Sequence, residues 1–431
     1  MIKYNKILII GAGGGREHAL GWKIAQSERA GKLFFARGNA GTAQIGTNLD
    51  IKETDTPALL GFAKSEGVDL TLVVSDDALA AGVVDAFTAF DMRVWGPTKA
   101  ASELEWSKAY AKDFMTRHHL PTARHQVFTD FEGAKAYVEK GPVPVVIKAS
   151  GLALGKGVTV AQSKEEAINA LHKILVDKVF GSAGNEVIIE EYLAGIEISI
   201  HAISDGTNYK IFPASQDHKR ILDGDIGPNT GGMGTIAPLS FIMPSMMNLI
   251  EKEIITPTIK GMREEGREFK GCLYPGIMIT LDGPKVFEFN SRFGDPETQT
   301  YMRILETDFL DIIDASIDGT LNNLNIGWKN EFACNIALAS GGYPNKYEKG
   351  KVVTGLEEAQ RNGNIVIFHS GTTLDEKKNL VTNGGRVLGV SATGLTLKKA
   401  LSTSYEAISK IHFEGMQFRK DIGQKALGLE R

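Results

Sequence analysis

Cysteine is scarce in this sequence, and its scarcity limits the kinds of site that the chain can contain. Of 431 residues only two are cysteines, Cys272 and Cys334, and each lies within an apolar run without a CxxC partner. This pattern argues against a disulfide framework and against a cysteine-ligated zinc site. We therefore expect reduced cysteines and a cytoplasmic location.

Basic runs, long apolar segments and repeats are also missing. The net charge is −4 at pH 7 and no cationic stretch stands out, which argues against binding to nucleic acid or to a membrane surface. The first apolar run ends in glycines rather than in a signal cleavage site, and no segment is long enough to span a bilayer. Without repeats, a solenoid is excluded. The length suggests about three globular domains.

Residues 1 to about 100 alternate short β-rich runs with helical stretches. The runs are KILII, LFFA, LTLVV and RVWG. Strands that alternate with helices predict a parallel sheet with helices on its faces. Gly96 and Pro97 end this unit, and a helical stretch follows until Pro121 breaks it.

The rest of the chain predicts antiparallel pairing. The runs PVVIKA and VTVA are separated only by SGLALGKG, which is too short for a parallel crossover and therefore predicts a hairpin. YPGIMITLDGPKVFEFN likewise predicts two strands joined by a turn. Residues 215–235 predict a long glycine-rich loop, and about the last hundred residues predict short strands and a closing helix from about 395. The predicted fold class is thus α/β and α+β in several domains.

A glycine-rich turn, IIGAGGGREHAL, follows the first strand. Glycines at such a turn let backbone N–H groups and a helix N-terminus face an anion, as in dinucleotide sites. However, Arg16 occupies the third glycine position of that fingerprint, and the second strand ends in Ala36, Arg37 and Gly38 without an acid for a ribose. A sugar phosphate fits this turn better than NAD. A turn that merely packs helix on strand is the alternative.

The stretch KASGLALGKG has the glycines of a P-loop without its spacing. Only three residues separate Gly151 from Gly155, and Gly157 stands where a magnesium-binding Ser or Thr is required. A loop of this kind between antiparallel strands would instead fold over phosphates, with Lys148 and Lys156 as point charges. The alternative is a plain turn with a solvated Lys156. Lys148 ends an apolar strand and so needs an anionic partner or a route to solvent.

Polar residues alternate with phenylalanines at the beginning of the run FEFNSRFGDPETQ, residues 287–299. On a strand, Glu288 and Asn290 project to one face, so two oxygen ligands converge where a hard cation would sit. Magnesium suits two protein oxygens because phosphates and water supply its other ligands. Arg292, two residues further, offers a planar fork for a carboxylate or phosphate. The alternative is a solvent-facing strand edge with local ion pairs.

Charges of both signs lie beside glycines in SQDHKRILDGDIGPNTGGMG, residues 215–234. Such a stretch is either an ordinary mobile loop or a loop that closes over a substrate. Its polar side chains are Asp217, His218, Lys219, Arg220, Asp223 and Asp225. His218 as a general base depends on geometry that the sequence does not supply.

Eight motifs are spread along the whole chain. They are GGREHAL (14–20), GNAGT (38–42), KASGLALGKGV (148–158), SQDHKR (215–220), GPNTGGMG (227–234), EFNSRFGDPETQ (288–299), TNGGRVL (382–388) and RKDIG (419–423). Together they closely resemble the glycinamide ribonucleotide synthetases, the phosphoribosylamine-glycine ligase family of the ATP-grasp superfamily.

The resemblance implies an ATP-grasp fold in which ATP lies between two antiparallel sheets. It also implies the following boundaries: an N-terminal preATP-grasp α/β domain over 1–104, a linking helix over 105–122, a lid subdomain over 123–193, a central subdomain over 194–328 and a small β-rich C-terminal domain over 329–431.

The resemblance further assigns site residues by motif. Catalytic roles fall to Arg292, Lys148 and Asp217. ATP would be bound by Lys108, Lys148, Lys156, Glu190, Glu191, Leu193 and Glu197. Glycine or phosphoribosylamine would be bound by Gly14, Arg16, Glu17, Asn39, Asp217, Lys219, Asn229, Gly231 and Arg292. Magnesium or manganese would be bound by Glu288 and Asn290.

The implied activity is ATP-dependent ligation of glycine to 5-phosphoribosylamine in purine biosynthesis, by a monomer that acts on small molecules alone. Three alternatives stay open. One is a related ATP-grasp ligase with a different amine or acid, because SDDALAAG (75–82) differs from the usual family loop. The others are a nicotinamide oxidoreductase and a nucleotide-binding protein without activity.

Overall fold

The structure, a computed structural model, describes residues 2–153, 157–361 and 363–429. Lys156, which the sequence predicts to contact phosphates, lies outside these residues. Within them, the architecture is α/β at the N-terminus and dominated by antiparallel sheets afterwards, which confirms the predicted fold class.

A parallel sheet occupies the N-terminal part, as the strand–helix alternation predicts. The elements are β1 (Tyr4–Ile10), α1 (Gly15–Ile24), β2 (Ala30–Ala36), α2 (Thr42–Ile45), β3 (Thr47–Leu49), α3 (Thr56–Glu66), β4 (Leu70–Val73), α4 (Asp76–Ala80), α5 (Val83–Thr88) and β5 (Val94–Trp95). The strand order is β3-β2-β1-β4-β5. Residues 7–10 of β1 are fully buried, as expected for a parallel strand covered on both faces.

Two helices follow where one linking helix was predicted. They are α6 (Glu103–Trp106) and α7 (Lys108–Arg117). The break is at Ser107, which has extended backbone angles and caps α7 by accepting a hydrogen bond from the Tyr110 N–H at 3.2 Å. Serine favours this cap position over a helix interior because its oxygen satisfies a free N–H group there.

A four-stranded antiparallel sheet comes next, and we call it the lid sheet. Its part of the chain contains β6 (His125–Phe128), α8 (Phe131–Lys140), β7 (Val145–Ala149), β8 (Val158–Ala161), α9 (Lys164–Leu171) and β9 (Val187–Glu191). The order is β6-β9-β7-β8. The antiparallel pairing of β7 with β8 confirms the predicted hairpin. An apolar cluster that includes Ile147, Leu171 and Ile189 packs α8 and α9 against one face.

A second antiparallel sheet, the core sheet, faces the lid sheet across a cleft. It is built from β10 (Ile196–Ser199), β11 (Ala202–Asp205), β12 (Tyr209–Ile211), β17 (Lys270–Thr280) and β18 (Gly283–Asn290). The β17–β18 hairpin confirms the prediction. The sheet packs against α10 (Pro244–Ile250), α11 (Thr256–Glu264) and α13 (Phe309–Asp318), and a π turn joins α10 to α11.

The prediction of a long loop over 215–235 was wrong. This segment forms β13 (Gln216–Asp217), β14 (Arg220–Leu222), β15 (Ile226–Asn229) and β16 (Gly234–Ala237). The last of these pairs with β19 (Phe332–Ala339), a strand from the C-terminal part of the chain. The local sequence is rich in glycine and poor in apolar alternation, so its short strands are not visible in the pattern: β14 pairs with β15, β13 pairs with β16, and β16 also pairs with β19, about a hundred residues away.

The C-terminal part completes this third sheet, in the order β13-β16-β19-β23-β20. Its further elements are α14 (Leu356–Gln360), β20 (Ile365–His369), β21 (Thr372–Leu374), β22 (Leu380–Thr382), β23 (Arg386–Gly394), α15 (Leu397–Ile408) and α16 (Gln424–Leu429). One helix, α12 (Glu297–Ile304), lies between this sheet and α1, and every residue in it is buried. Through α12, the N-terminal, core and C-terminal parts share one packed interior.

Candidate active site

A cleft of about 1410 Å³ lies between the lid and core sheets and reaches the glycine turn after β1. Most of the residues predicted from the sequence line it. They are Gly14, Arg16, Glu17, Lys108, Lys148, Glu190, Glu191, Leu193, Glu197, Asp217, Lys219, Asn229, Gly231, Glu288, Asn290 and Arg292. The fold thus brings residues from widely separated motifs to one cavity.

Two lysines and one glutamate form a buried cluster on the lid side of the cleft. Lys148 Nζ lies 3.0 Å from Glu190 Oε2 and donates a second hydrogen bond to the Phe287 carbonyl at 2.8 Å. Lys112 Nζ lies 3.2 Å from the same glutamate oxygen. Burial raises the pKa of Glu190, but Lys148 and Lys112 outweigh it and lower the pKa below its usual value. The anionic partner that Lys148 was expected to need is therefore Glu190.

Lys108, at the start of α7, and Glu288, near the end of β18, both line the cleft. Burial lowers the pKa of the Lys108 ammonium, and the Glu288 carboxylate opposes that shift. Lys108 donates to the Gly151 carbonyl at 3.3 Å. Among the described residues, none donates a hydrogen bond to Glu288 or forms an ion pair with it within 4 Å. Glu288 thus presents a carboxylate to the cleft that can accept a cation.

Asn290 and Arg292 are joined to each other and to a buried carboxylate. Arg292 Nη2 donates to Asn290 Oδ1 at 2.9 Å and lies 2.8 Å from Glu105 Oε1. The other oxygen of Glu105 accepts from both the N–H and the hydroxyl of Ser291, at 2.8 and 2.7 Å. Arg292 Nε is buried and has no hydrogen-bond acceptor in the described part of the protein. The arginine fork is therefore held in place while one of its donors stays available.

Glu288 and Asn290 fit a hard divalent cation as an incomplete ligand set. Both offer oxygen ligands from one strand, and an amide oxygen with one hydrogen bond keeps a second lone pair. No group of three or more His, Cys, Asp or Glu side chains among the described residues could hold a metal ion. This donor set therefore suits magnesium with the remaining positions filled by phosphates and water rather than a cage built from protein alone.

Acidic groups with raised pKa values surround one lysine at the base of the cleft. Burial raises the pKa of Asp217 to about 6 and that of Glu197 to about 7, with Lys219 opposing both shifts. Lys219 Nζ lies 2.7 Å from Asp217 Oδ2. Burial lowers the pKa of Lys219, but Asp217 and its acidic neighbours raise it well above its usual value. Asp217 and Lys219 therefore form an ion pair at this end of the cleft.

His218 has a structural role in the described contacts. Its Nδ1 lies 2.9 Å from the Gly234 carbonyl, and its Nε2 accepts a hydrogen bond from the Gly423 N–H at 3.1 Å. Burial lowers the pKa of this imidazole to about 4. Both ring nitrogens are thus engaged in joining β13 to β16 and to the C-terminal segment, which leaves no nitrogen for the base role considered from the sequence.

The glycine turn leads into α1, and the Glu17 carboxylate folds back onto the turn. Glu17 Oε2 accepts a hydrogen bond from the Gly14 N–H at 2.8 Å, and Arg16 Nη2 donates to Glu17 Oε1 at 2.8 Å. Arg16 also donates to the Phe293 carbonyl at 3.2 Å, which ties the turn to the core. A Cβ on Gly14 would lie 2.9 Å from Asp295 Oδ2. Only glycine allows this close approach without displacing Asp295.

Asn39 lies beside the turn rather than on the cleft wall. Its amide nitrogen donates to the carbonyls of Gly13, Gly14 and His369, at 3.0, 3.2 and 2.8 Å. Its amide oxygen accepts from the N–H groups of residues 41 and 42. The side chain therefore shapes the glycine turn, and direct contact with a substrate stays a prediction.

Three family models match consecutive parts of the chain. They describe the N domain (residues 5–105), the ATP-grasp (A) domain (106–298) and the C domain (333–425) of phosphoribosylglycinamide synthetase. A phosphoribosylamine–glycine ligase from Yersinia pestis is 47% identical over 425 residues, covering 98% of this chain and 99% of the relative. A ligase of the same name from Chlorobaculum tepidum is 46% identical over 426 residues, covering 98% and 100%. The chain belongs to the phosphoribosylglycinamide synthetase family.

A solved structure of this family supports the same assignment. The phosphoribosylamine–glycine ligase of Thermotoga maritima has a TM-score of 0.84 and 35% identity, covering 96% of this chain and 99% of its own. The biotin carboxylase of Campylobacter jejuni, in complex with an ATP analogue, has a TM-score of 0.74 at 14% identity and covers 96% and 93%. That second likeness shows a shared fold alone.

In this member of the phosphoribosylglycinamide synthetase family, the sequence analysis missed several residues of the cleft. They are Lys112, Glu105, Tyr274, Glu297, Tyr343 and Arg386. Arg386 donates to the Gly231 carbonyl at 2.7 Å from the TNGGRVL motif. Glu297 accepts from Tyr274 at 2.6 Å and lies within FGDPETQ. Both motifs were identified from the sequence. Their local pattern, however, does not show which of their residues line the cleft and which are only buried.

Proposed function

We propose that this protein joins glycine to 5-phosphoribosylamine with ATP, giving glycinamide ribonucleotide, ADP and phosphate in the cytoplasmic steps of purine biosynthesis. One observation carries the proposal. A single cleft, in a chain of this family, combines buried lysines on its lid side with two oxygen ligands on β18 and the Arg292 guanidinium beside them.

The reaction would proceed in two steps. A carboxylate oxygen of glycine attacks the γ-phosphorus of ATP, the bond to ADP breaks, and glycyl phosphate forms. The amine of phosphoribosylamine then attacks the acyl carbon, phosphate leaves, and the amine loses a proton. Because the amine is already a nucleophile, no covalent enzyme intermediate is required.

Residues of the lid and core sheets would bind ATP. Lys108 and Lys148 would place positive charge on the phosphates, and the predicted role of Lys156 lies outside the described residues. The backbone at Glu191 and Leu193 would contact the adenine, and Glu197 the ribose hydroxyls. Glu190 would complete this side of the site through its contact with Lys148. Such charges align the γ-phosphate and neutralise its oxygens in the transition state.

Glu288 and Asn290 would hold magnesium or manganese with the phosphates. When bound, the metal supplies further neutralisation of phosphate charge. The structure offers these two oxygen ligands on one strand, and both residues line the cleft.

The base of the cleft would bind glycine. The Arg292 guanidinium has a buried Nε without an acceptor in the described residues, which suits a carboxylate oxygen. Asp217 would pair with the ammonium group, with Lys219 as its present partner at 2.7 Å. Asn229 and Gly231 would close the site from β15 and the loop that follows it.

The glycine turn would bind phosphoribosylamine. Gly14 and Arg16 line the cleft where α1 begins, and the Glu17 carboxylate accepts hydrogen bonds from both of them. Glu17 and Asn39 would keep the turn in shape. A helix N-terminus with an arginine favours a phosphate group.

The proposal is tested by ADP formation with ATP, magnesium and glycine, in the presence of phosphoribosylamine made from ribose 5-phosphate and ammonia. We expect ADP to require both glycine and the amine, and Glu288→Ala to abolish it. Asp282→Ala, on the exposed β17–β18 turn, is the matched control and should retain activity. If ADP formed with another acid or amine instead, the protein would be a related ligase with a different substrate. The 75–82 segment, which differs from the usual family loop, is the candidate cause, because its Asp76 lines the cleft.

Two further parts of the proposal have their own measurements. A glycyl-enzyme adduct detected by mass spectrometry would contradict the direct transfer from glycyl phosphate. A single sedimenting species of 46.7 kDa would support a monomer, which is predicted from the family resemblance.

A further inference from the structure

Two lysines of the cleft share a single carboxylate oxygen. Lys148 and Lys112 lie 3.0 and 3.2 Å from Glu190 Oε2, and the three side chains are 6%, 2% and 3% exposed. The other glutamate oxygen, Oε1, is buried and has no hydrogen-bond donor in the described part of the chain. The cluster therefore contains two cations and one anion, so it carries an excess positive charge within the cleft.

The two lysines differ in what holds them. Lys112 belongs to α7 and donates to Thr122 Oγ1 at 2.8 Å, and that hydroxyl donates to the Val286 carbonyl at 2.6 Å. These contacts hold the Lys112 ammonium between the linking segment and β18. Lys148 projects from lid strand β7, and its other contacts among the described residues are with Phe287: the carbonyl at 2.8 Å and the ring, whose centroid lies 5.9 Å away. Of the two ammonium groups, only that of Lys148 was predicted to reach a phosphate.

A phosphate that draws the Lys148 ammonium would remove one of the two partners of Glu190. A buried carboxylate that loses its only cation is strongly destabilised. With Lys112 in place, Glu190 keeps a cation at 3.2 Å when Lys148 turns away. Without Lys112, the one remaining cation near Glu190 in this cluster would be Lys148, and their mutual attraction would oppose phosphate binding.

We propose that Lys112 is a positioning residue of the nucleotide site, which retains Glu190 so that Lys148 is released to the phosphates of a nucleoside triphosphate. This inference rests on the proposed function only in requiring that ATP occupies this cleft. It does not depend on which acid or amine is joined. This role explains why Lys112 is buried beside Glu190, although burial of its charge costs free energy and Glu190 already has Lys148 as a partner.

The test measures binding of ATP with magnesium by calorimetry, without glycine or amine. Lys112→Met should raise the Kd for ATP by at least about tenfold, since breaking a buried ion pair costs more than the roughly 1.4 kcal/mol that corresponds to tenfold. Adding Glu190→Gln to that variant removes the anion that retains Lys148. The double variant should therefore bind ATP more tightly than Lys112→Met alone.

A matched control and a second comparison keep the result interpretable. Lys23→Met removes a partly buried lysine of α1, which donates to the Leu305 carbonyl away from the cleft, and should leave the Kd unchanged. If Lys112→Met does not fold, as judged by thermal unfolding, Glu190→Gln is compared with the double variant. Their Kd values should agree within about twofold, because Lys112 has no anion left to retain.

Three results would overturn the inference. One is an unchanged Kd in folded Lys112→Met, and another is a double variant that binds more weakly than that single variant. The third is a large difference between Glu190→Gln and the double variant. Because binding is measured without ligation, a protein that binds ATP as expected but fails to ligate glycine would contradict only the proposed function.

Discussion

The ion pair between Glu105 and Arg292 supports a quantitative prediction for Glu105→Gln. The carboxylate lies 2.8 Å from Arg292 Nη2, and the two side chains are 6% and 17% exposed. At a separation of about 4 Å between charge centres and an effective dielectric constant near 20, the lost attraction is about 4 kcal/mol. Glutamine also places an NH₂ group against either Arg292 or the Ser291 N–H, which leaves a buried donor unsatisfied and costs about 1–3 kcal/mol.

These terms overlap, and removal of one partner of a buried pair typically costs about 3–5 kcal/mol. We therefore expect Glu105→Gln to lower the free energy of unfolding by about that amount, seen as a lower midpoint of urea unfolding. If Arg292 binds the glycine carboxylate, its loss of orientation should also raise the KM for glycine while the Kd for ATP is retained.

Glu103→Gln is the matched control, because Glu103 lies on the same helix and pairs with the more exposed Arg267. Exposed pairs contribute about 0–1 kcal/mol, so this variant should have nearly the wild-type midpoint and KM. An equal loss of stability in both variants, or a change below about 1 kcal/mol in Glu105→Gln, would refute the argument from burial.

Two further predictions concern pH and the C-terminal segment. Burial raises the pKa of Glu197 from 4.5 to about 7, so the folded state binds its proton more tightly than the unfolded state, and this contribution to stability is lost as pH rises from 4.5 to 7. Glu197→Gln should remove that part of the slope of urea midpoint against pH, and an unchanged slope would contradict the shift. Arg419 is 1% exposed and lies 2.6 Å from Asp225 and 2.7 Å from Asp421, which are themselves partly exposed, so Arg419→Met should lower the free energy of unfolding by about 1.5–3 kcal/mol. Lys410→Met, in an exposed pair at 3.5 Å from Glu358, is the control and should change it by less than about 1 kcal/mol in the same urea titration, whereas equal losses would show that burial is not the cause.

Local patterns predicted the elements whose pairing is local. The β7–β8 and β17–β18 hairpins follow from short polar connections between apolar runs, because a short connection leaves only antiparallel pairing. The N-terminal parallel sheet follows from alternation of strands and helices. Residues 215–235 were predicted as a loop, because β13 and β14 are short and β16 also pairs with the distant strand β19, to which no local pattern points.

The candidate site divides in the same way. Glu288 and Asn290 were expected on one face of a strand, and a period of two places both on the cleft wall. Glu105 and Lys112 escaped notice because each is one charged residue in an ordinary helical stretch. Their importance comes from burial beside Arg292 and Glu190, residues that are distant in sequence.

The sequence by itself determined which residue types were available and where chemistry would be concentrated: glycines after the first strand, lysines at strand ends, and paired oxygens on β18. These are consequences of backbone freedom and side-chain period, which act over a few residues. Only the tertiary structure decided which charges face one another, that Lys112 and Lys148 share Glu190, and that β16 joins a C-terminal strand. Electrostatic and packing energies depend on distance in space and on exclusion of water, and neither can be read along the chain.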